Sequence, residues 1–329
     1  MIIDVHTHFL SRDCWDAIDK NGRHYSPTIV TSPEGEELMV VKGINRGPIA
    51  RQMWDPEKRI KDMDAAGVDI QLLSASPPLI YYNLDAEACL WFSRLQNDGI
   101  ARTAKEFPDR FRGIATVPLQ DTEKAIAELD RAVNNLGLVG VEILTTVNGL
   151  ALDAPELLPF YKAVESLNVP ILIHPEILPG STQMKKYFLA NLVGNPLDTT
   201  LAAAHIIFGG VFEKFPKLKI CLSHGGGYLP YQRGRWEHGF KVREECRVSI
   251  SRPPSEYITL FYFDIVTHFL PALEFLVGSM GADKVLLGTD YPFDMAETQP
   301  VDMVQRLANV SEKDKQRILG GTAARIFNF

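Results

Sequence analysis

Residues 2–8 read Ile2-Ile3-Asp4-Val5-His6-Thr7-His8, a β-branched apolar run that ends in two histidines one residue apart. Side chains alternate between faces along an extended strand, so His6 and His8 share one face. Short apolar runs of the same kind recur at 68–74, 112–117, 139–144, 170–173, 218–222, 259–263 and 284–288. Amphipathic segments lie between them, including 57–66, 86–107, 121–136, 154–167 and 197–214, with Asp121 and Gly137 as caps. Strand and helix alternating in this way eight times predict an α/β fold, a closed parallel (β/α)₈ TIM barrel.

The chain has 329 residues, a length that one barrel accommodates, so residues 1–329 are expected to form a single domain. The stretch 10–55 breaks the rhythm with Gly, Pro, Ser and charge and reads as an insertion over the barrel mouth. Within it, 28–30 and 37–41 suit a hairpin turning at Pro33-Glu34-Gly35-Glu36.

Composition narrows the function. A formal charge of −7 argues against a general polyanion-binding surface, and so against nucleic acid. No apolar run is long enough to span a bilayer, and the start of the chain lacks a basic segment followed by a long apolar one. The four cysteines, Cys14, Cys89, Cys221 and Cys246, are widely spaced without a C-x-x-C pair and read as free thiols of a reducing compartment. A soluble cytoplasmic protein is the expectation.

Catalytic groups of such barrels sit at the carboxyl ends of strands. His6 and His8 end the first strand, His174 follows the fifth, His224 the sixth and Asp290 the eighth. Three imidazoles and a carboxylate satisfy a divalent metal that keeps a position for water or substrate. Any one of these histidines alone fits a satisfied core or surface group; their joint placement at strand ends is what points to a metal. Spacing does not separate His224 from the ligands. Asp4 reads either as an orienting partner of an imidazole or as a strand-end cap, and Asp264 and His268 either as site residues or as loop caps. His205 sits in an apolar helical pattern and reads as structural. Ser223-His224-Gly225-Gly226-Gly227 could cradle a substrate carboxylate or form a tight turn, and no nucleotide-binding pattern accompanies it.

His6-Thr7-His8, His174, the S-H-G-G-G turn and Gly288-Thr289-Asp290-Tyr291-Pro292-Phe293 together resemble the decarboxylase-rich branch of the amidohydrolase superfamily, on its carboxymuconate-semialdehyde side. Trp54-Asp55-Pro56-Glu57, Lys186-Tyr187 and the stretch 209–219 extend the likeness over nearly the whole chain. The resemblance implies a mononuclear zinc, with manganese as alternative, held by His6, His8, His174 and Asp290. It implies that His224 is a non-ligand acid/base, and that Asp290 serves catalysis as well as coordination. It further implies a homodimer in which Arg235 reaches the partner's substrate carboxylate, with Arg51 (or Arg46) from the insertion and Phe293 completing substrate binding. The loop after His174 departs from the branch, carrying Glu176, Phe188 and Asn191. The implied reaction is non-oxidative decarboxylation of a small unsaturated or aromatic acid, of the 2-amino-3-carboxymuconate-6-semialdehyde kind. The same ligands also suit a hydrolase or hydratase acting on a lactone, amide or unsaturated dicarboxylate, or a non-catalytic barrel with a structural metal.

Overall fold

Each of the eight apolar runs forms a strand in the computed structural model, which describes residues 1–11, 14, 28–33, 37–41, 44–48, 51–176 and 182–329. In chain order the strands are β1 (Ile3–Phe9), the insertion strands β2 (Thr28–Thr31), β3 (Glu37–Val41) and β4 (Ile44–Pro48), then β5 (Ile70–Ala75), β6 (Phe111–Gly113), β7 (Val141–Leu144), β8 (Ile171–His174), β9 (Ile220–Leu222), β10 (Tyr262–Asp264) and β11 (Val285–Leu286). Parallel ladders run β1-β5-β6 and β7-β8-β9-β10-β11. Two single bridges join the ladders, Ala115 to Val141 and Thr7 to Tyr291. The second seam is reinforced by Val5 N donating to Leu287 O at 3.0 Å and His8 N to Tyr291 O at 2.7 Å. Eight parallel strands thereby close into the expected barrel.

The longer helices cover the outside: α1 (Pro56–Ala66), α2 (Ala86–Glu106), α3 (Thr122–Asn134), α4 (Leu158–Leu167), α5 (Asn195–Phe208), α6 (Leu229–Val242) and α7 (Leu270–Met280). Three of their starts are written in the sequence as caps, because Asp55, Asp85 and Asp121 each accept a backbone N–H of the first turn of α1, α2 and α3. Gly137 lies beyond the end of α3, which stops at Asn134 with Asn135 as its cap. The segment expected as one helix over 197–214 breaks at Gly209-Gly210. Gly210 has φ +73°, and a Cβ there would lie 2.4 Å from Ser249 O, so this close approach admits glycine alone.

The insertion holds the expected hairpin, β2 antiparallel to β3, and a third strand, β4, beside β3. Sequence reading missed β4 because Asn45, Gly47 and Pro48 look like loop, and a strand at the sheet's edge tolerates them. Residues 34–36 of the proposed turn lie outside the described residues. Leu10 N donates to Met53 O at 2.9 Å, which brings the chain back beside β1 at the insertion's base.

Residues two apart on a strand share a face, so Leu72, Leu172 and Leu286 point inward below Ser74, His174 and the Gly288–Asp290 segment. With Ile70, Ile114 and Cys221 they form an inner core that Ala323, Ile326 and Phe327 of the C-terminal segment close from below. The barrel's upper interior is therefore what remains for polar groups. Among the described residues the four cysteines are free, three of them buried, and no helix is long and apolar enough to cross a membrane.

Candidate metal centre

Strand alternation delivers His6 and His8 to the interior, their ring centroids 5.1 Å apart. His174 arrives from the last residue of β8, His224 from the turn after β9 and Asp290 from the turn after β11. The donor atoms of His6, His174, His224 and Asp290 all lie within 4.8 Å of one another. His8 joins them, its Nε2 3.0 Å from Asp290 Oδ1 and 3.2 Å from His6 Nε2. All five residues that the sequence proposes thus meet at one point.

The three buried rings are fixed from behind. His6 Nδ1 donates to Asp264 Oδ2 at 2.7 Å, His8 Nδ1 to Ala75 O at 3.2 Å and His174 Nδ1 to Pro175 O at 2.7 Å. A hydrogen committed at Nδ1 leaves the lone pair at Nε2, the arrangement of a metal-ligating imidazole. Those three Nε2 atoms converge on one oxygen, Asp290 Oδ1, at 3.4 Å for His6, 3.0 Å for His8 and 3.8 Å for His174. His174 Nε2 is buried without a hydrogen-bond partner. Facing lone pairs and an orphaned buried nitrogen are a poor arrangement by themselves and a good one around a cation, so this donor set fits one divalent metal.

His224 differs from the other three. Its Nε2 faces the second oxygen, Asp290 Oδ2, at 3.4 Å. It lines a cavity of about 580 Å³ with Asn191, Asn195, Tyr228, His268 and Asp290 among its walls. The turn that carries it needs special backbone: His224 has φ +54°, and Gly225, Gly226 and Gly227 are all left-handed. A Cβ at Gly227 would stand 2.1 Å from Pro196 O, so the turn packs directly on the start of α5. Asp264 locks it from inside, accepting from His224 N at 2.9 Å and Gly225 N at 2.7 Å. Asp264 is therefore both of the things its sequence position allowed, an imidazole's partner and a loop cap.

The electrostatics favour positive charge at the centre. Burial opposes ionisation of Asp290, but the four imidazoles gathered around it outweigh burial and hold the carboxyl well below its ordinary value. Burial pushes His174 down to about 3 and also lowers His8, so both stay neutral and ready to ligate. For His6 burial is outweighed by Asp264 and Asp290, which raise it well above the ordinary value. A divalent cation competes for that same place with the proton on His6.

Other expectations resolve differently. Asp4 touches no imidazole ring; it accepts from His6 N, from Gln71 Nε2 and from Thr289 through both N and Oγ1, tying β1 to the Asp290 turn. Arg51 is exposed and donates to Asp55 Oδ2 at 2.6 Å, bracing the residue that caps α1. Arg235 is exposed on α6, and neither arginine lines the cavity among the described residues. The side chain of Arg46, on β4, lies outside the described residues. Phe293 packs beside His8, ring centroids 4.9 Å apart and the planes tilted by 43°. Asn191 lines the cavity and Phe188 is exposed, while His205 pairs with Asp153 at 3.0 Å on the surface.

Two supporting residues escaped the sequence reading. Arg59, fully buried, donates to His8 O at 2.8 Å and to Gln71 Oε1 at 2.8 Å, and lies over the Tyr291 ring. Glu142, on β7, is fully buried with Oε1 3.9 Å from His8 Nδ1, and burial raises its carboxyl to about 8. A charged residue inside the run Val141-Glu142-Ile143-Leu144 faces inward by parity, a signal that was available.

Comparison with known proteins follows the geometry. The profile described as "Amidohydrolase" matches residues 3–329. A 2-amino-3-carboxymuconate-6-semialdehyde decarboxylase from Dictyostelium discoideum is 39% identical over 98% of this chain and 90% of that one. The crystal structure of 5-carboxyvanillate decarboxylase from Sphingomonas paucimobilis superposes with a TM-score of 0.84 at 26% identity, covering 100% of this chain and 99% of that one. A dihydroxybenzoic acid decarboxylase from Polaromonas sp. JS666, solved with bound manganese and the inhibitor 2-nitroresorcinol, gives 0.80 at 26% identity, covering 99% and 96%. Residue placement, barrel closure and these likenesses agree that the chain belongs to the amidohydrolase family.

Proposed function

We propose that the chain is a metal-dependent, non-oxidative decarboxylase of a small unsaturated or aromatic carboxylic acid. The observation that carries this reading is the asymmetry about Asp290, with three imidazoles addressing Oδ1 while His224 addresses Oδ2 and opens on the cavity. His6, His8, His174 and Asp290 would hold the cation. Three nitrogens and a carboxylate suit zinc, with manganese the alternative that the Polaromonas relative holds. Bound there, a divalent ion would polarise a substrate oxygen and offset developing negative charge.

The chain's own residues supply the rest. His224 holds a proton at Nε2, beside Asp290 Oδ2 and facing the cavity. When the carbon–carbon bond breaks and CO₂ departs, the electron pair stays on the substrate carbon and takes that proton. Phe293 presents an apolar ring face next to His8, and aliphatic and aromatic walls receive the body of the substrate. Tyr187, Phe188, Tyr231, Phe269 and Phe275 are exposed, and Arg235 stands on the same helix as Tyr231. These features support a homodimer in which Arg235 of one copy meets the substrate carboxylate of the other. Arg51, engaged with Asp55, is the weaker cation for that task. The free thiols suit the cytoplasm.

Metal-loaded protein, its ion identified by elemental analysis, should release CO₂ from carboxymuconate semialdehydes or hydroxybenzoates. Turnover of a lactone or hydration of an unsaturated dicarboxylate, with no CO₂ from any acid in the panel, overturns the proposal.

A further inference from the structure

His268 lies on the loop four residues beyond Asp264, and the metal centre makes no use of it. It lines both the 580 Å³ cavity that holds His224 and Asp290 and a separate surface cavity of about 420 Å³ that includes Glu297. Nδ1 faces Glu297 Oε2 at 3.9 Å, so Nε2 is the ring nitrogen that this carboxylate does not address. Glu297 is itself held, its Oε1 accepting from Gln299 N at 2.8 Å and its own N donating to Thr289 O at 2.8 Å. The carboxylate behind His268 is thereby anchored to the turn that presents Asp290.

The backbone points the same way. His268 has φ +53°, a left-handed conformation that a residue with a side chain adopts only at a cost. Its loop is braced on the catalytic turn, since a Cβ at Gly225 would come within 2.9 Å of Thr267 Cγ2. Among the cavity's walls, His268 is the imidazole not drawn into the cluster around Asp290.

We infer that His268, backed by Glu297, is a specificity-determining residue that recognises a second acidic group on the substrate, away from the carboxylate that is lost. An acidic substituent and an imidazole share one proton whichever of them brings it, and Glu297 offsets the charge left on the ring. Among the described residues, the walls next to His268 in sequence, Val266, Thr267, Phe269, Pro271 and Ala272, carry no ionisable group. The inference rests on the acid-substrate reading above and narrows it to acids bearing two acidic groups.

Binding of benzoate and isophthalate to the zinc-loaded protein, measured by calorimetry, tests this without requiring turnover. Wild type should prefer isophthalate by about tenfold or more, the scale of one charge-assisted hydrogen bond. His268→Ala should abolish that preference while leaving benzoate affinity and metal content unchanged, and Glu297→Gln should reduce it partway; His268→Gln, which keeps a donor, should retain some of it. An unchanged preference in His268→Ala, or an equal loss of both ligands, overturns the assignment of His268 alone. Failure of both acids to bind wild type overturns the acid-substrate reading, and this inference with it.

Discussion

The two ends of the barrel are made by the same strands and filled with opposite kinds of matter. Below, Leu72, Leu172 and Leu286 meet Ile326 and Phe327 in an apolar plug. Two residues further along the same strands, or in the turn that follows, stand Ser74, His174 and Asp290. Each buried aliphatic side chain of the plug contributes about 1.5–3 kcal/mol through removal from water. The rim works against folding, for it buries Asp4, Glu142, Asp264 and Asp290 and holds His224 and Asp290 at φ +54° and +67°. Stability is thus concentrated at one end so that unfavourable chemistry can be kept at the other.

That division can be broken from either side. Asp290→Ala should remove the metal and lower activity about 10³-fold or more, because a catalytic metal contributes several kcal/mol and each 1.4 kcal/mol is tenfold; elemental analysis alongside kcat would show it. His224→Asn should cost about 10²–10⁴ in kcat with the metal retained, and metal lost together with activity would make His224 a ligand instead. From the other end, Phe327→Ala should destabilise by about 3–5 kcal/mol in denaturant unfolding, with activity per folded molecule unchanged. A kcat that fell with stability would mean that the plug positions the rim.

Smaller effects sharpen the contrast. Asp264→Asn should weaken metal affinity by about 10–100-fold through its hold on His6, as measured by chelator competition. Beside the rim, Asp198 is buried on α5, where Thr145 Oγ1 donates to it, and burial raises its carboxyl from 3.8 to about 6. Because the folded value lies above the unfolded one, both states are protonated below about pH 3 and ionisation then costs the folded state nothing. As pH rises from about 3 to 6 the unfolded chain releases its proton first, stability falls, and the deficit stays constant above. Asp198→Asn should therefore be about 1–3 kcal/mol more stable relative to wild type at pH 7 than it is below about pH 3, as followed by thermal melts.

The same contrast explains what could be read in advance. Strand ends were legible because β-branched runs stop at polar residues, and a histidine or aspartate at such a stop announces itself. His6, His8, His174, His224 and Asp290 were all visible on that ground. The split of His224 from the other three histidines was not visible in spacing and came only from the resemblance, because it depends on which oxygen of a single carboxylate each ring faces. Arg59 lies inside an ordinary helix pattern, and only the packed interior shows why it is there, whereas the inward parity of Glu142 on its strand was readable and was passed over. The insertion's third strand was hidden by Gly47 and Pro48, residues that an edge position permits.

The seam between β1 and the turn after β11 has a consequence for how the molecule comes into being. His6 O accepts from Asp290 N at 2.8 Å, so backbone groups from opposite extremes of the polypeptide meet where the cation is to sit. No chain that stops short of Asp290 can possess the centre, and the contact that completes it joins segments far apart in sequence, a kind of pairing that folds slowly. An ion captured there acts as a clasp, joining the earliest and latest barrel segments and favouring the finished ring over any opened form.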